Sequence, residues 1–277
     1  MWETTTMHQH KRVLFLHDPA ILDPGELDAI KAHTSWIPGE SILDVQQGDL
    51  VIARHTMWPW PKRVDRDVKR MGGTLLNGLR SYVYADSPLS WGFDLVTMTP
   101  HTHVDFSGLP DGRSFILKGK KADKSSWKRM FAQDATAARA LLVELHRDPM
   151  FAGQDIVARE YVPLERLSWD GQSCPVSLEY RVFVLDGVVV SKEFYWIAED
   201  LDVKPPSADI IPEAFLAEAI SRLDGAIRWY TLDVARTAAG DWIVIEISDG
   251  QRAGLSENDP VTLYRNMAEV LLKPPIS

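Results

Sequence analysis

The sequence lacks the cysteines and the long apolar runs that mark secreted and membrane proteins. Cys174 is the single cysteine among 277 residues, so the chain cannot form an internal disulfide or a zinc site made of several thiolates. The apolar run at residues 13–16 ends at His17, which is too short for a signal peptide. No stretch approaches the ~18 apolar residues that a membrane span requires. We therefore expect a cytoplasmic protein without membrane insertion.

Positive charge is also scarce, because 30 Lys and Arg residues stand against 39 Asp and Glu residues. A net charge of -9 disfavours a general electrostatic grip on a nucleic-acid backbone, although it does not exclude a local basic cleft. Three motifs are missing: the Gly-x-x-x-x-Gly-Lys-Ser/Thr phosphate loop, the Gly-x-Gly-x-x-Gly dinucleotide fingerprint and the Gly-x-Ser-x-Gly nucleophile elbow. These absences exclude the two commonest nucleotide-binding loops and one common hydrolase motif.

What is present is typical of a folded α+β protein. Hydrophobic residues make up 45% of the chain and charged residues 25%, and the length suits about two lobes or more. The first ~80 residues alternate strand and helix patterns, segment 81–112 reads as loop-rich, and strand patterns dominate from residue 156. Between them, a strand at 115–118 precedes a polar loop at 120–128 and a helix at about 134–147.

Asp186-Gly187 separates two β-rich runs and predicts a hairpin with a two-residue turn. Counting from this turn places Arg181 opposite Lys192, and Phe183 opposite Val190. Two cations that face each other repel, so we expect an anion such as a phosphate to lie between them. The alternative is that Lys192 reaches solvent or pairs with an acidic neighbour, Glu179.

A second hairpin is predicted around Ala239-Gly240, and the same counting places Asp233 opposite Glu246. Like charges in this position favour a bound cation, and Asp249 follows at the end of the strand. Three oxygen ligands suit Mg²⁺; an acidic, solvated face is the alternative. The flanking apolar side chains should alternate toward the buried face, namely Leu232, Val234, Ile245 and Ile247.

The order of these segments resembles the ATP-grasp superfamily, and within it a small clade of bacterial and phage ATP-grasp domain proteins. The motifs are a strand that ends in Lys118, a hinge-like stretch at 157–164, a Glu-Tyr-Arg strand that ends in Arg181, and an Asp … Glu-x-x-Asp pattern. The resemblance implies a small α/β N-terminal lobe at 1–112, a central lobe with a lid at 113–160 and a C-terminal lobe at 161–277. Antiparallel sheets of the latter two lobes would sandwich ATP.

The resemblance also implies roles for individual residues. It assigns Mg²⁺ coordination to Asp233, Glu246 and Asp249, and adenine recognition to backbone groups of Glu160, Tyr161 and Val162. It assigns phosphate contacts to Lys118 and Lys192, and stabilisation of an acyl-phosphate or its transition state to Arg181. The chain departs from the family in the loop after Lys118, which contains Lys-Ser-Ser at 124–126 but no glycine-rich run.

Other polar and aromatic residues have two interpretations each. Arg80 is a candidate substitute for an earlier family lysine and Arg54 a candidate substrate contact, and a structural role is equally expected for both. His101 and His103 could bind a metal, but ordinary loop histidines are the better expectation because no further ligand is near in sequence. Four tryptophans suit either a ligand pocket or the core: Trp58, Trp60, Trp91 and Trp127.

The leading functional prediction is a Mg²⁺- and ATP-dependent ligase that joins a carboxylate to an amine, through an acyl-phosphate and with release of ADP. Its substrate would be a small molecule or a peptide. Three alternatives stay open: a nucleotidyl-transferring RNA ligase with Lys118 as nucleophile, a small-molecule kinase on the same fold, and a non-catalytic nucleotide-binding partner. No motif in the N-terminal segment identifies the acceptor or the oligomeric state.

Overall fold

The computed structural model describes residues 12–272, except residues 58, 120–126, 150, 152, 169–174, 198–203, 224 and 226. Four features of the sequence therefore lie outside the described residues in whole or in part: Cys174, Trp58, the Lys-Ser-Ser stretch and most of the 120–128 loop. No helix within the described ranges is long and apolar enough to cross a membrane.

The N-terminal segment forms a four-stranded parallel sheet. Its strands are β1 (Val13–His17), β2 (Ile37–Gly39), β3 (Leu50–Arg54) and β4 (Thr74–Leu75), in the order β2-β1-β3-β4. Helices α1 (Glu26–His33) and α2 (Pro61–Arg70) connect them, because parallel strands need crossover connections. Every residue of β3 is buried, as expected for a strand covered on both faces.

Two short helices follow, α3 (Leu79–Ala85) and α4 (Pro88–Asp94). The prediction of a loop-rich stretch at 81–112 was therefore wrong over its first part. Ser87 caps α4 by accepting a hydrogen bond from the N–H of Ser90, and Pro88 occupies the first turn. Both are ordinary helix-start signals, but seven residues are too few for a clear helical periodicity.

The central sheet is antiparallel, with the order β5-β8-β6-β7. Its strands are β5 (Thr102–His103), β6 (Phe115–Lys118), β7 (Phe131–Ala132) and β8 (Val157–Glu160). Helix α5 (Trp127–Met130) precedes β7, and α6 (Ala135–Arg147) confirms the predicted helix. Phe115 and Leu117 face the core beneath α6, and the alternation leaves Lys118 on the other face.

The C-terminal sheet is antiparallel, with the order β12-β11-β13-β14. After a small ladder of β9 (Arg166–Ser168) and β10 (Val176–Ser177), it contains β11 (Glu179–Leu185), β12 (Val188–Phe194), β13 (Trp229–Arg236) and β14 (Trp242–Asp249). Helix α7 (Glu213–Arg222) precedes β13, and α8 (Pro260–Leu272) completes the described chain. The confirmed α+β architecture thus presents two antiparallel sheets to each other.

The C-terminal sheet is buried on both faces. One face, with Tyr180, Val182 and Leu232, packs in a core that also contains Trp91 of α4. The other face, with Phe183 and Trp229, packs against α1, α8 and β1. Both of these cores contain residues from the N-terminal and the C-terminal segments, whereas the central sheet and α6 have a core of their own.

Candidate functional site

The β13–β14 hairpin pairs Asp233 with Glu246, as the sequence predicted. A bulge lies next to this pair, because Val234 pairs with Val244 and leaves Ile245 as the extra residue of β14. The prediction that Ile245 faces the core was therefore wrong: Val244 occupies the core and Ile245 is only partly buried. The bulge shifts the alternation by one residue between the turn and Glu246.

Asp233 is paired with an arginine from the adjacent strand. Arg181 of β11 lies directly opposite Asp233 of β13, and its Nε and Nη2 donate to the two carboxylate oxygens at 2.8 Å each. Nη1 donates to the Gly254 carbonyl at 2.8 Å, and the guanidinium lies over the Tyr195 ring. Burial lowers the pKa of Arg181, but the attraction to Asp233 outweighs it and the net pKa is raised.

Glu246 receives a lysine from the central sheet. Lys118 Nζ lies 2.7 Å from Glu246 Oε2, so this ion pair joins β6 to β14 across the gap between the two sheets. Burial alone would raise the pKa of Glu246, but Lys118, with support from Arg159 and Arg181, lowers it. The Glu246 side chain is still 37% exposed, so its ionised carboxylate is accessible to a ligand.

Asp249 lies at the end of β14 and is buried. Its Oδ1 accepts hydrogen bonds from Asn77 Nδ2 at 2.8 Å and from the N–H of Gln251 at 2.9 Å. Its Oδ2 has no partner within the part of the chain that is described. Burial raises the pKa of this carboxyl, which is the expected behaviour of an acid that lacks a nearby cation.

The three carboxylates thus have different surroundings. Asp233 uses both oxygens on Arg181, Glu246 binds Lys118, and Asp249 is held by Asn77. Among the described residues, no three acidic, histidine or cysteine side chains form a group that could hold one ion. The predicted convergence of all three is therefore not found, and the metal role of each residue stays a prediction.

A cavity of about 100 Å³ adjoins two of these carboxylates. Arg252 and Asp86 contribute to its wall; Arg252 Nη1 donates to Asp86 Oδ1 at 3.1 Å and to the Tyr82 hydroxyl at 3.0 Å. Sequence reasoning missed these residues and Asn77, because no motif marks them and their partners lie far away in the chain. The lining includes Asp86, Trp91, Lys118, Glu246, Ser248, Asp249 and Arg252.

Lys192 is not part of this constellation, and the predicted pairing of Arg181 with Lys192 was wrong. A bulge in β12 leaves Val190 as the extra residue, so Arg181 pairs with Glu193, and Lys192 pairs with Val182. The prediction that Phe183 lies opposite Val190 was wrong for the same reason, since Ser191 takes that position. Lys192 Nζ lies 2.9 Å from Asp209 Oδ1, not on the Arg181 face.

The hinge-like stretch lies at the end of β8. The N–H groups of Glu160 and Tyr161 donate to the carbonyls of His101 and Ser114 at 2.9 and 2.8 Å. The Glu160 carboxylate lies 3.1 Å from His103 Nε2, so His103 has a carboxylate neighbour and no metal cluster around it in the described ranges. Tyr161 packs edge-on against Phe131, and Val162 follows in irregular backbone.

The two arginines with open roles are now separated. Arg54 is fully buried: it forms two hydrogen bonds with Glu26 and donates to the carbonyls of Gly250 and Ala253. It is therefore a structural residue that fixes the chain after β14. Arg80 is exposed on α3 and lines a separate groove between α2 and α3.

The chain matches known proteins at the level of family and fold. A family model for an ATP-grasp domain, family 3 of its clade, matches residues 97–267. No curated protein sequence shows significant similarity to the chain.

Several solved structures share the fold. The D-cycloserine synthetase DcsG has a TM-score of 0.59 and 17% identity, with 94% of this chain and 99% of that chain covered. The ATP-grasp ligase PsnB, complexed with precursor peptide PsnA2 and AMPPNP, has a TM-score of 0.54 and 12% identity, with 95% and 98% covered. D-alanine–D-alanine ligase from Bacillus anthracis, complexed with ATP, has a TM-score of 0.56 and 11% identity, with 94% and 96% covered.

Proposed function

Since the chain belongs to this clade family of ATP-grasp domains, we propose that it is an ATP-dependent ligase that joins a carboxylate to an amine. The observation that carries the proposal is the Lys118–Glu246 ion pair, which bridges the central and C-terminal sheets at 2.7 Å beside a polar cavity. A cation and an anion that face each other across two sheets are suited to a phosphate group and its counter-ion.

The nucleotide would lie between the two sheets. Lys118 would leave Glu246 for the phosphates, which offer more negative charge than one carboxylate. At the hinge, the N–H groups of Glu160 and Tyr161 are already used within the protein. Adenine recognition by this stretch would therefore depend on its carbonyl groups and on the backbone of Val162.

Glu246 and Asp249 are the residues that would hold Mg²⁺. The fit rests on the donor atoms: Glu246 is ionised and accessible, and Asp249 Oδ2 is a buried oxygen without a partner in the described chain. Mg²⁺ is commonly bound by one or two carboxylates together with substrate phosphates and water. When bound, the ion would neutralise charge on the transferred phosphoryl group. Asp233 would act through Arg181.

Arg181 would stabilise the negative charge that develops during phosphoryl transfer. Asp233, Gly254 and Tyr195 hold its guanidinium on three sides. A rigid cation costs little reorganisation when the transition state forms. This arrangement supports the predicted acyl-phosphate chemistry, in which the substrate carboxylate takes the γ-phosphoryl group, ADP leaves, and an amine then displaces phosphate.

Arg252 and Asp86 are candidates for substrate recognition. Both line the same cavity as Glu246 and Asp249. The hydrogen bonds of Arg252 within the described residues all use Nη1, so Nε and Nη2 are available for a substrate carboxylate, which suits the planar guanidinium fork. A small molecule or peptide with a carboxylate is the substrate class that this cavity would accept.

The proposal is tested by incubation of the purified protein with Mg²⁺, ATP and pools of amino acids or short peptides. We expect release of ADP and phosphate that depends on both a carboxylate and an amine substrate. Glu246→Gln should lower turnover by at least ~100-fold, because a charge at the reacting phosphates is lost. Glu218→Gln on exposed α7 is the control, since the Glu218 carboxylate contacts only Arg222 among the described residues.

Three results would contradict the proposal. AMP attached to the protein or to a 5′ end would indicate a nucleotidyl transferase, and a stable phosphorylated product without any amine requirement would indicate a kinase. Nucleotide binding without turnover on any substrate pool would favour a non-catalytic partner.

A further inference from the structure

Arg159 is a buried cation in β8 that has no acidic partner within 4 Å among the described residues. It is 5% exposed. Nη1 donates to the Ile245 carbonyl at 2.5 Å, Nη2 donates to Thr99 Oγ1 at 2.7 Å, and the guanidinium lies 5.1 Å from the centre of the Trp91 ring. A buried cation of this kind is costly unless its surroundings compensate it, so its presence needs a reason.

The position of Arg159 supplies one. The residue lies next to Glu160 in the hinge-like strand, and its acceptor Ile245 lies next to Glu246. Ile245 is the bulged residue of β14, so its carbonyl is outside the regular ladder and Arg159 satisfies it. One guanidinium therefore connects the strand expected to hold adenine with the strand expected to hold the metal.

Thr99 extends the same connection. Its Oγ1 accepts from Arg159 and donates to the Val244 carbonyl at 2.7 Å, while the N–H of Val244 donates to the Met98 carbonyl at 2.7 Å. Because β14 is the edge strand of its sheet, one side of it lacks a neighbouring strand. Arg159, Thr99 and Met98 fix that side just before Glu246.

Charge supports the geometry. Burial lowers the pKa of Arg159 to about 10, and Glu246 is the acidic group that opposes this change. In turn, Arg159 helps to lower the pKa of Glu246, after Lys118. If Lys118 moves to a phosphate, Arg159 remains beside Glu246 as a fixed cation.

We propose that Arg159 is a positioning residue that orients Glu246 for the divalent cation and couples occupation of the hinge to metal binding. This proposal rests on the proposed function, because it assumes that Glu246 binds the cation of a metal–nucleotide complex. A purely structural role, in which Arg159 only holds the sheets together over Trp91, is the competing explanation. The two explanations differ in what happens to metal affinity when the protein remains folded.

The test measures Mn²⁺ binding by electron paramagnetic resonance with AMPPNP present, and AMPPNP binding by calorimetry with metal removed. Arg159→Met should weaken Mn²⁺ binding by roughly 10–100-fold, the usual effect of removing a residue that orients a metal ligand. Metal-free AMPPNP affinity should change much less. Arg159→Lys should recover part of the loss, because it retains the charge but not the planar fork.

Arg139→Met is the matched control, since Arg139 is an exposed arginine of the same lobe that donates to the Phe106 carbonyl. Thr99→Val removes the extended connection without touching the charge, and should weaken Mn²⁺ binding in the same direction by a smaller factor. It serves as the second variant if Arg159→Met does not fold.

Wild-type Mn²⁺ affinity in folded Arg159→Met, or in Thr99→Val if that variant alone folds, would overturn the proposal. An equal loss of Mn²⁺ and metal-free AMPPNP affinity would overturn it as well, in favour of the structural role. Neither result would affect the proposed ligase function. Failure of the wild-type protein to bind Mn²⁺ with AMPPNP would instead refute the proposed function and this proposal with it.

Discussion

At the residue scale, buried arginines are the main connections between distant parts of the chain. Arg54 joins β3 to α1 through Glu26 and to the chain after β14 through two carbonyls. Arg181 joins two strands of one sheet, and Arg159 joins two different sheets. The planar fork with five N–H donors explains this use, because one guanidinium can satisfy acceptors on several elements at once.

The Arg54–Glu26 pair gives a pH-dependent prediction. Burial raises the pKa of Glu26, but Arg54 outweighs it, so the folded-state pKa is lower than the ordinary value. The stability that this carboxylate contributes is therefore complete above its unfolded pKa of about 4.3 and is lost as the pH falls through the lower, folded pKa. Glu26→Gln should lower the free energy of unfolding by ~3–5 kcal/mol at neutral pH, because Arg54 is left buried without a counter-ion.

Urea unfolding of wild type and Glu26→Gln between neutral pH and about pH 3 tests this prediction. The difference between them should shrink as the pH falls below about 4.3. Glu218→Gln is the control, with an expected change within ~0.5 kcal/mol at every pH because its carboxylate is on the surface. A difference for Glu26→Gln that does not vary with pH would contradict the assignment.

At the scale of secondary-structure elements, two β-bulges decide which side chains share a face. The bulge in β14 keeps Asp233 opposite Glu246, while the bulge in β12 separates Lys192 from Arg181. Bulges re-aim side chains next to functional sites in many proteins. Here the two bulges leave Arg181, Asp233 and Glu246 on one face and direct Lys192 to the 3-10 helix at Ala208–Ile210.

The β12 bulge predicts different outcomes for Lys192→Met and Arg181→Met. Lys192 pairs with Asp209, whose side chain is mostly exposed, so its loss should lower the free energy of unfolding by under ~1 kcal/mol and leave turnover close to wild type. Arg181→Met leaves Asp233 buried and unpaired, which should lower the free energy of unfolding by ~3–5 kcal/mol and abolish turnover.

Urea unfolding and steady-state kinetics on both variants are the measurements. If Arg181→Met is too unstable for kinetics, Arg181→Lys, which retains the charge, can replace it. Loss of turnover in a stably folded Lys192→Met would show that Lys192 reaches the nucleotide after all, as the family resemblance implied.

At the scale of the whole molecule, the N-terminal and C-terminal segments share their cores. Phe15 and Ile30 pack in the same cluster as Phe183 and Trp229, so neither segment can open without exposing apolar surface of the other. The central sheet and α6 form a separate cluster around Phe115 and Leu117. The lobe boundaries at 112 and 160 stay predictions, but the cores indicate two cooperative units rather than three.

Hydrogen exchange tests this division. Leu117→Ala should cost ~2–5 kcal/mol within the central core and should accelerate amide exchange in β6, β8 and α6 while β1, β3, β11 and β13 remain protected. Phe183→Ala should accelerate exchange in β1, β3, β11 and β13 together. Val143→Ala on the exposed side of α6 is the control, since half of the Val143 side chain is exposed. Uniform acceleration throughout the chain in Leu117→Ala would contradict two separate units.

Local patterns in the sequence were sufficient for the two long hairpins, helix α6 and the Asp233–Glu246 pair. Turn residues and alternation of apolar side chains act over a few residues, so they can be interpreted without knowing the fold. The four motifs were likewise enough for the resemblance to the ATP-grasp superfamily, which the family match confirms. The short helices α3 and α4 escaped because their signals are brief.

Only the tertiary structure decided which partners the charged residues take. Asp249 is bound by Asn77, 172 positions away, and Arg252 by Asp86, 166 positions away; no periodicity relates residues so distant in sequence. The bulges at Val190 and Ile245 likewise depend on the fit between whole strands and their neighbours, not on the turn from which register is counted. The sequence by itself therefore determined which strand face carries Asp233 and Glu246. The packing of three sheets determined that Asp233 serves Arg181, whereas Glu246 and Asp249 border the cavity.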